Sequence, residues 1–230
     1  AAPSTTSSAE IETRHHPETR SEEAAPPQEP NAEEVVLPNF AQLRPESIPT
    51  EIWERMVGLS YQEGCPVGID SLRLLRLPHW GIDGEIHTGE LIVEASEAEN
   101  IIGVFAEIFE ARFPIQSMRL VHEYDGDDNR SMADNNTSAF NCRQSVGSDA
   151  WSQHSYGTAI DINPLINPYV TSSGTVMPPG GREFLDRTQP VPGIVTDGGA
   201  VVRAFERIGW NWGGHWTNSK DYQHFSASGK

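Results

Sequence analysis

The chain has 230 residues and carries 33 acidic against 16 basic side chains, a formal net charge of −17. No basic stripe interrupts that balance, which argues against a phosphate-backbone partner and hence against nucleic acid. No apolar run approaches the roughly 20 residues of a membrane span.

Residues 1–39 read as a disordered acidic spacer. They contain no aromatic side chain, Ile11 is their only large aliphatic up to Glu34, and residues 1–37 hold eight Glu against two Arg. Such a segment cannot bury enough apolar surface to offset its conformational entropy. The opening Ala-Ala-Pro leads us to expect a leader removed upstream, with the spacer serving as a tether between an envelope anchor and a folded domain. Residues 40–230 then form that domain, long enough for one substantial core.

Within the domain, Ile48–Met56 fits a short amphipathic helix with Thr50 as its N-cap. Leu72–Leu77, closed by Pro78, reads as a strand, Gly81–Gly84 as a turn and Glu90–Glu94 as a second strand. Apolar residues at Ile101, Val104, Phe105, Ile108 and Phe109 recur at helical spacing, so Ala95–Phe113 should lay one face on a sheet. Met118–His122 looks like another strand. Residues 124–138, rich in Asp, Asn, Gly and Ser, read as a long loop over something functional. Asp125, Asp127 and Asp128 lack the glycine and terminal glutamate of a calcium loop and read as solvated acids. This order of elements predicts an α+β fold, a small and mainly antiparallel sheet with flanking helices.

Cys65 and Cys142 permit one disulfide and require none. A pair in an oxidising compartment is the preferred reading, with two buried inert thiols as the alternative.

The chemistry concentrates in two stretches. In Ser152-Gln-His154-Ser-Tyr-Gly-Thr-Ala-Ile-Asp161 a turn at residues 155–157 precedes an extended run. Gly157, Ala159 and Asp161 share one face of that run, and Thr158, Ile160 and Ile162 share the other. The second face suits a core. The first leaves room beside a carboxylate for a cation, and the turn can carry His154 back over Asp161. The second stretch, Trp210-Asn-Trp-Gly-Gly-His-Trp216, leads to Asp221-Tyr-Gln-His224, where a tight turn can aim both Asp221 and His224 into one cleft. His154, Asp161 and His224 therefore offer the three ligands of a catalytic zinc site with an open fourth position. Asp221 is the further carboxylate that takes a proton from water there.

Ser152-x-His154-x-x-Gly157-x-Ala159-x-Asp161 followed by Asp221-x-x-His224 resembles the M15 family of zinc D-Ala-D-Ala carboxypeptidases and L-alanyl-D-glutamate endopeptidases, which includes phage endolysins. The resemblance extends back through Phe140-Asn-Cys-Arg143 and covers roughly residues 40–228. It implies a hedgehog/DD-peptidase-like fold around Zn2+, held by His154, Asp161 and His224. It also implies Asp221 as general base and then acid, Arg143 at the oxyanion, and a peptidoglycan peptide as substrate. Ser152 is expected to contact substrate or orient the ligands. His215 and Trp216 are expected to line the substrate site rather than to ligate. Trp210 and Trp212 either join that wall or belong to the core. Many carboxypeptidases of the family have Glu where Asp221 stands, so this site looks more like the endopeptidases. The expected protein is secreted or held in the cell envelope, and monomeric. The alternative is a non-catalytic zinc-binding or wall-binding module on the same fold.

Overall fold

The computed structural model describes residues 37–229, so the expected spacer lies almost wholly outside the described residues. The first helix, α1 (Thr50–Met56), is followed by the strands β1 (Leu72–Trp80) and β2 (Ile86–Glu94) and the helix α2 (Ala98–Glu110). Next come β3 (Ser117–Met118), α3 (Asp128–Ala133), β4 (Asn136–Thr137), β5 (Ala159–Asp161), β6 (Tyr169–Val170) and β7 (Val176–Met177). The chain ends through α4 (Ala200–Arg207), β8 (Asn211–Trp212), β9 (Lys220–Asp221) and β10 (His224–Ser226). The result is the expected α+β fold built from small sheets, antiparallel except for the short β3–β4 pair.

β1 and β2 form a hairpin in register from Leu72 opposite Glu94 to Trp80 opposite Ile86. The strand runs through Pro78 rather than stopping before it. Leu74 turns its N–H outward to the Glu46 carbonyl, 2.9 Å away, and Pro78 shares that parity. The missing proline N–H therefore falls on the hairpin's outer edge, where no ladder bond is lost.

On this hairpin lies α2, which also packs against α4. Its apolar stripe buries Ile101, Val104, Phe105 and Ile108, each contributing roughly 1.5–3 kcal/mol of burial. Phe205 of α4 stacks on Phe225 of β10 at 4.3 Å and on Trp210 at 5.7 Å. Trp210 and Trp212 belong to this core, their indole N–H groups bonded to Glu97 and to the Tyr222 carbonyl.

Three local expectations are corrected. Pro49, not Thr50, occupies the position before α1, and Thr50 is its first residue, since the Pro49 backbone is extended and the helix has no side-chain cap. The extended run at residue 118 ends after Met118, and Val121–Tyr124 coil into a 3-10 turn closed by Asp125 in the left-handed region. Residues 124–138 are not one loop but hold α3 and β4. Asp127 caps α3 by accepting from the N–H groups of Asn129 and Arg130, the standard partnership of a short acidic side chain with a helix start.

Cys65 and Cys142 form a disulfide across a sequence separation of 77, with Cα atoms 5.9 Å apart. Loop closure of that length favours the native state by about 4 kcal/mol in the chain-entropy description. A Cys65→Ala/Cys142→Ala double variant should lose up to about that much in urea unfolding; equal midpoints for both proteins would show that the bridge adds nothing.

His122 is buried with both ring nitrogens lacking partners among the described residues. Burial, and secondarily the charge of Arg55, lowers its pKa. The folded state thus prefers the neutral ring, so this contribution is intact above the ordinary histidine range (~6.5) and is lost as pH falls below it. Between pH 7.5 and 5 the melting temperature of His122→Phe should fall less than that of the unaltered protein.

Candidate metal centre and cleft

The centre is built by strand pairing. In the sheet β5–β10–β8, Asp161 lies directly opposite His224, Ile160 opposite Phe225 and Ala159 opposite Ser226. Alternation sends Ile160 and Phe225 into the core and leaves Asp161 and His224 on the other face. The His224 Nδ1 atom is 3.0 Å from Asp161 Oδ1.

His154 arrives on the 3-10 turn Gln153–Tyr156. Ser152 caps that turn by accepting from the His154 N–H, and Gly157 closes it with φ 70°. A side chain at Gly157 would meet the Glu94 backbone nitrogen at 2.6 Å, so the left-handed turn and the close approach to β2 both require glycine. The His154 Nδ1–H donates to the Ala139 carbonyl at 2.6 Å, and its Nε2 lies 3.3 Å from Asp161 Oδ2. A second-sphere carbonyl that fixes one ring nitrogen and aims the other is the usual support of a metal-binding histidine.

One ligand atom each from His154, Asp161 and His224 lies within 4.8 Å of the others, and all three residues are buried. Burial pushes the Asp161 carboxyl up, but the charge and hydrogen bonds of the two histidines override it and hold it well below the usual carboxylate range. Two imidazoles and an ionised carboxylate converging out of solvent suit a divalent cation of borderline softness, zinc in particular.

Arg143, Ser152, His154, Asp161, His215, Trp216, Asp221 and His224 all line one cleft of about 970 Å³, whereas Trp210 and Trp212 do not. Asp221 ends β9 with its Oδ1 buried and unpartnered. Burial raises its pKa to about 7; the charge of Asp161 adds to this, while His224, the Gln223 amide and His154 pull the other way. Gly213 backs it, since a Cβ there would lie 2.6 Å from the Asp221 carbonyl oxygen. Trp216 stands 5.6 Å from the His224 ring. His215 is on the rim and turned to Asp197, 3.0 Å away, not to the ligand cluster.

Arg143 reaches the cleft with an NH2 group 2.7 Å from Asp128 of α3, while its Nε is buried and unpartnered. Sequence reasoning missed Asp128 by placing it in a solvated loop. It also missed Gln223, whose buried Oε1 has no partner, and Gly213. For Asp128 the available signal was Asp127 as a helix cap; nothing local marked the pairing across 15 residues.

The fold and this site define a mixed α+β protein with a buried His-Asp-His cluster able to hold a metal. Residues 146–227 match a family model described as D-alanyl-D-alanine carboxypeptidase. The match takes in Ser152, the three clustered residues and Asp221, and begins just after Arg143. Searches of curated proteins and of solved structures returned no match.

The raised Asp221 pKa has a consequence for stability in the metal-free protein. The folded state holds the proton more tightly than the unfolded chain, so stability is lost as pH rises from the ordinary carboxylate range towards about 7. Metal-stripped Asp221→Asn should therefore melt above the metal-stripped parent at pH 8, by an amount that vanishes near pH 4. A difference independent of pH would contradict the raised pKa.

Proposed function

We propose that the chain is a zinc-dependent peptidase that hydrolyses an amide bond inside the stem peptides of peptidoglycan, outside the cytoplasm. The observation that carries this reading is the convergence of His154, Asp161 and His224 in one cleft with Asp221, whose inner carboxylate oxygen lacks a partner. The family match supports peptidase chemistry, and the Cys65–Cys142 bridge supports an oxidising compartment.

His154 Nε2, His224 Nδ1 and an Asp161 oxygen are the atoms that would hold zinc. Bound there, zinc supplies Lewis acidity and lowers the pKa of water towards ~7. Asp221 accepts the proton of the attacking water and delivers it to the departing nitrogen, so one carboxyl serves as base and then as acid. Arg143 donates to the carbonyl oxygen as negative charge develops, a contribution of about 3 kcal/mol for a well-placed donor. Ser152 keeps His154 in place through the turn it caps.

The electrostatics of the cleft favour an endopeptidase over a carboxypeptidase. Among the described residues lining it, Arg143 is the one Lys or Arg, and Asp128 already neutralises it. His215, the remaining cationic prospect, faces Asp197. A terminal carboxylate would enter without an unpaired cation to receive it, whereas a neutral interior amide needs none.

Asp221→Ala should keep one zinc per chain and lose about 10²–10⁴-fold in hydrolysis of purified walls. Mass spectrometry of the digest should show stems cut internally, with chelator abolishing the cut. Release of free D-Ala as the sole product would sink the endopeptidase reading, and full activity in Asp221→Ala would sink the mechanism.

A further inference from the structure

Arg143 and Asp128 meet on the cleft wall, and their pairing is held from both sides. Asp128 is the first residue of α3, one after the Asp127 cap, and its second oxygen is 3.4 Å from the Asn141 amide. Arg143 is fixed through its backbone, whose N–H donates to the Ser155 hydroxyl at 2.9 Å and whose carbonyl accepts from the same hydroxyl at 2.7 Å. The disulfide at Cys142 and the Cys142 N–H to the Ser60 carbonyl, 2.9 Å, clamp the preceding residue. Both charged side chains are only about one-quarter exposed or less, 26% for Arg143 and 19% for Asp128. An ion pair so placed is screened weakly by solvent, and removing one partner leaves the other charge uncompensated.

We propose that Asp128 is a specificity-determining residue: by occupying the Arg143 guanidinium it makes the cleft discriminate against peptides with a free α-carboxylate on the residue that follows the cleaved bond. The inference rests on the peptidase reading above and adds to it the charge state of the substrate on the leaving side. Asp128 acts through Arg143 and touches no reacting atom, so it is a positioning residue in the catalytic sense. With the pair intact, its net charge is zero and the cleft wall presents no free cation there. Without the Asp128 charge, Arg143 becomes a free cation in a partly desolvated wall, the feature a carboxylate seeks.

The test uses the zinc-loaded full chain and two synthetic stem peptides that differ only in whether the residue after the cleaved bond carries an α-carboxylate or an α-carboxamide. The unaltered protein should favour the carboxamide peptide. Asp128→Asn, which keeps the shape and removes the charge, should shift the ratio of kcat/KM values about tenfold towards the carboxylate peptide. Asp128→Glu, which keeps the charge, should retain the parent ratio. The ratio is internal to each variant, so a partly unfolded preparation does not disturb it; Asp128→Ser provides the same charge removal should the Asn variant fold poorly. A ratio unchanged in Asp128→Asn and Asp128→Ser, with both substrates falling together, would show that Asp128 only braces the wall. If the unaltered protein cuts neither peptide, the peptidase reading fails, and this inference with it.

Discussion

The site depends on one cross-strand pair, Asp161 opposite His224. Residues directly opposite in an antiparallel ladder bring their Cβ atoms to roughly 5 Å, which is the separation two ligands of one cation require. The same ladder sets Ile160 opposite Phe225 one step along, on the core face. Because the side-chain period is two, slipping the register by one residue would drive a carboxylate and an imidazole into the apolar core. The metal centre and the packing of α4 on β10 are thus two consequences of one register, and the stacked Phe205–Phe225 pair secures both.

A short sheet could not hold such a site unaided, and the loops around it are unusually well satisfied. Asn163 and Asn167 are fully buried and spend their amides on the carbonyls of Pro114, Ile162 and Gly193. Arg187 then bonds the Asn167 side chain and the Ile166 and Val195 carbonyls and stacks over Tyr222 at 4.6 Å. Its burial lowers its pKa to about 10, yet it stays cationic at neutral pH. These side chains substitute for ladder hydrogen bonds where the chain is irregular. They also fix Tyr222, and with it the turn between Asp221 and His224.

Much of the centre was legible because its signals are local or periodic. His154 and Asp161 sit in one short segment, where an alternating run separates an aliphatic face from a small one, and Asp221 and His224 are three apart. The helical stripe of α2 was equally plain from the spacing of Ile101, Val104, Phe105 and Ile108. What escaped was short or long-range. α3 has six residues and buries only Ser131 and Met132, too little for a periodic pattern. The Val121–Tyr124 turn reads as a strand because Leu120 and Val121 are aliphatic, while the left-handed Asp125 that closes the turn leaves no apolar trace. The division of the tryptophans, Trp210 and Trp212 to the core and Trp216 to the cleft, follows from β8 pairing with β10, which no local rule reveals.

Apart from the two His122 ring nitrogens and a Glu107 carboxylate oxygen, the buried side-chain polar atoms without hydrogen-bond partners among the described residues lie on residues of the cleft. Buried asparagines across the loops are fully engaged, whereas Asp221 Oδ1, Gln223 Oε1 and Arg143 Nε, all on residues of the cleft, are buried without partners. Each such atom costs roughly 1–3 kcal/mol relative to a satisfied one. The loop asparagines show that this fold can pair buried polar groups, whereas Gln223 directs its amide N–H to the weak sulfur acceptor of Met132, 3.6 Å away, and leaves Oε1 without a donor. The cost of the unmet cleft atoms is concentrated where a peptide would lie, which is where unmet donors and acceptors can be matched by a ligand instead of by the protein. Asp128 sharpens the point from the other side: it pairs with the Arg143 terminus, so what the cleft wall presents there is a neutral pair and not a free charge.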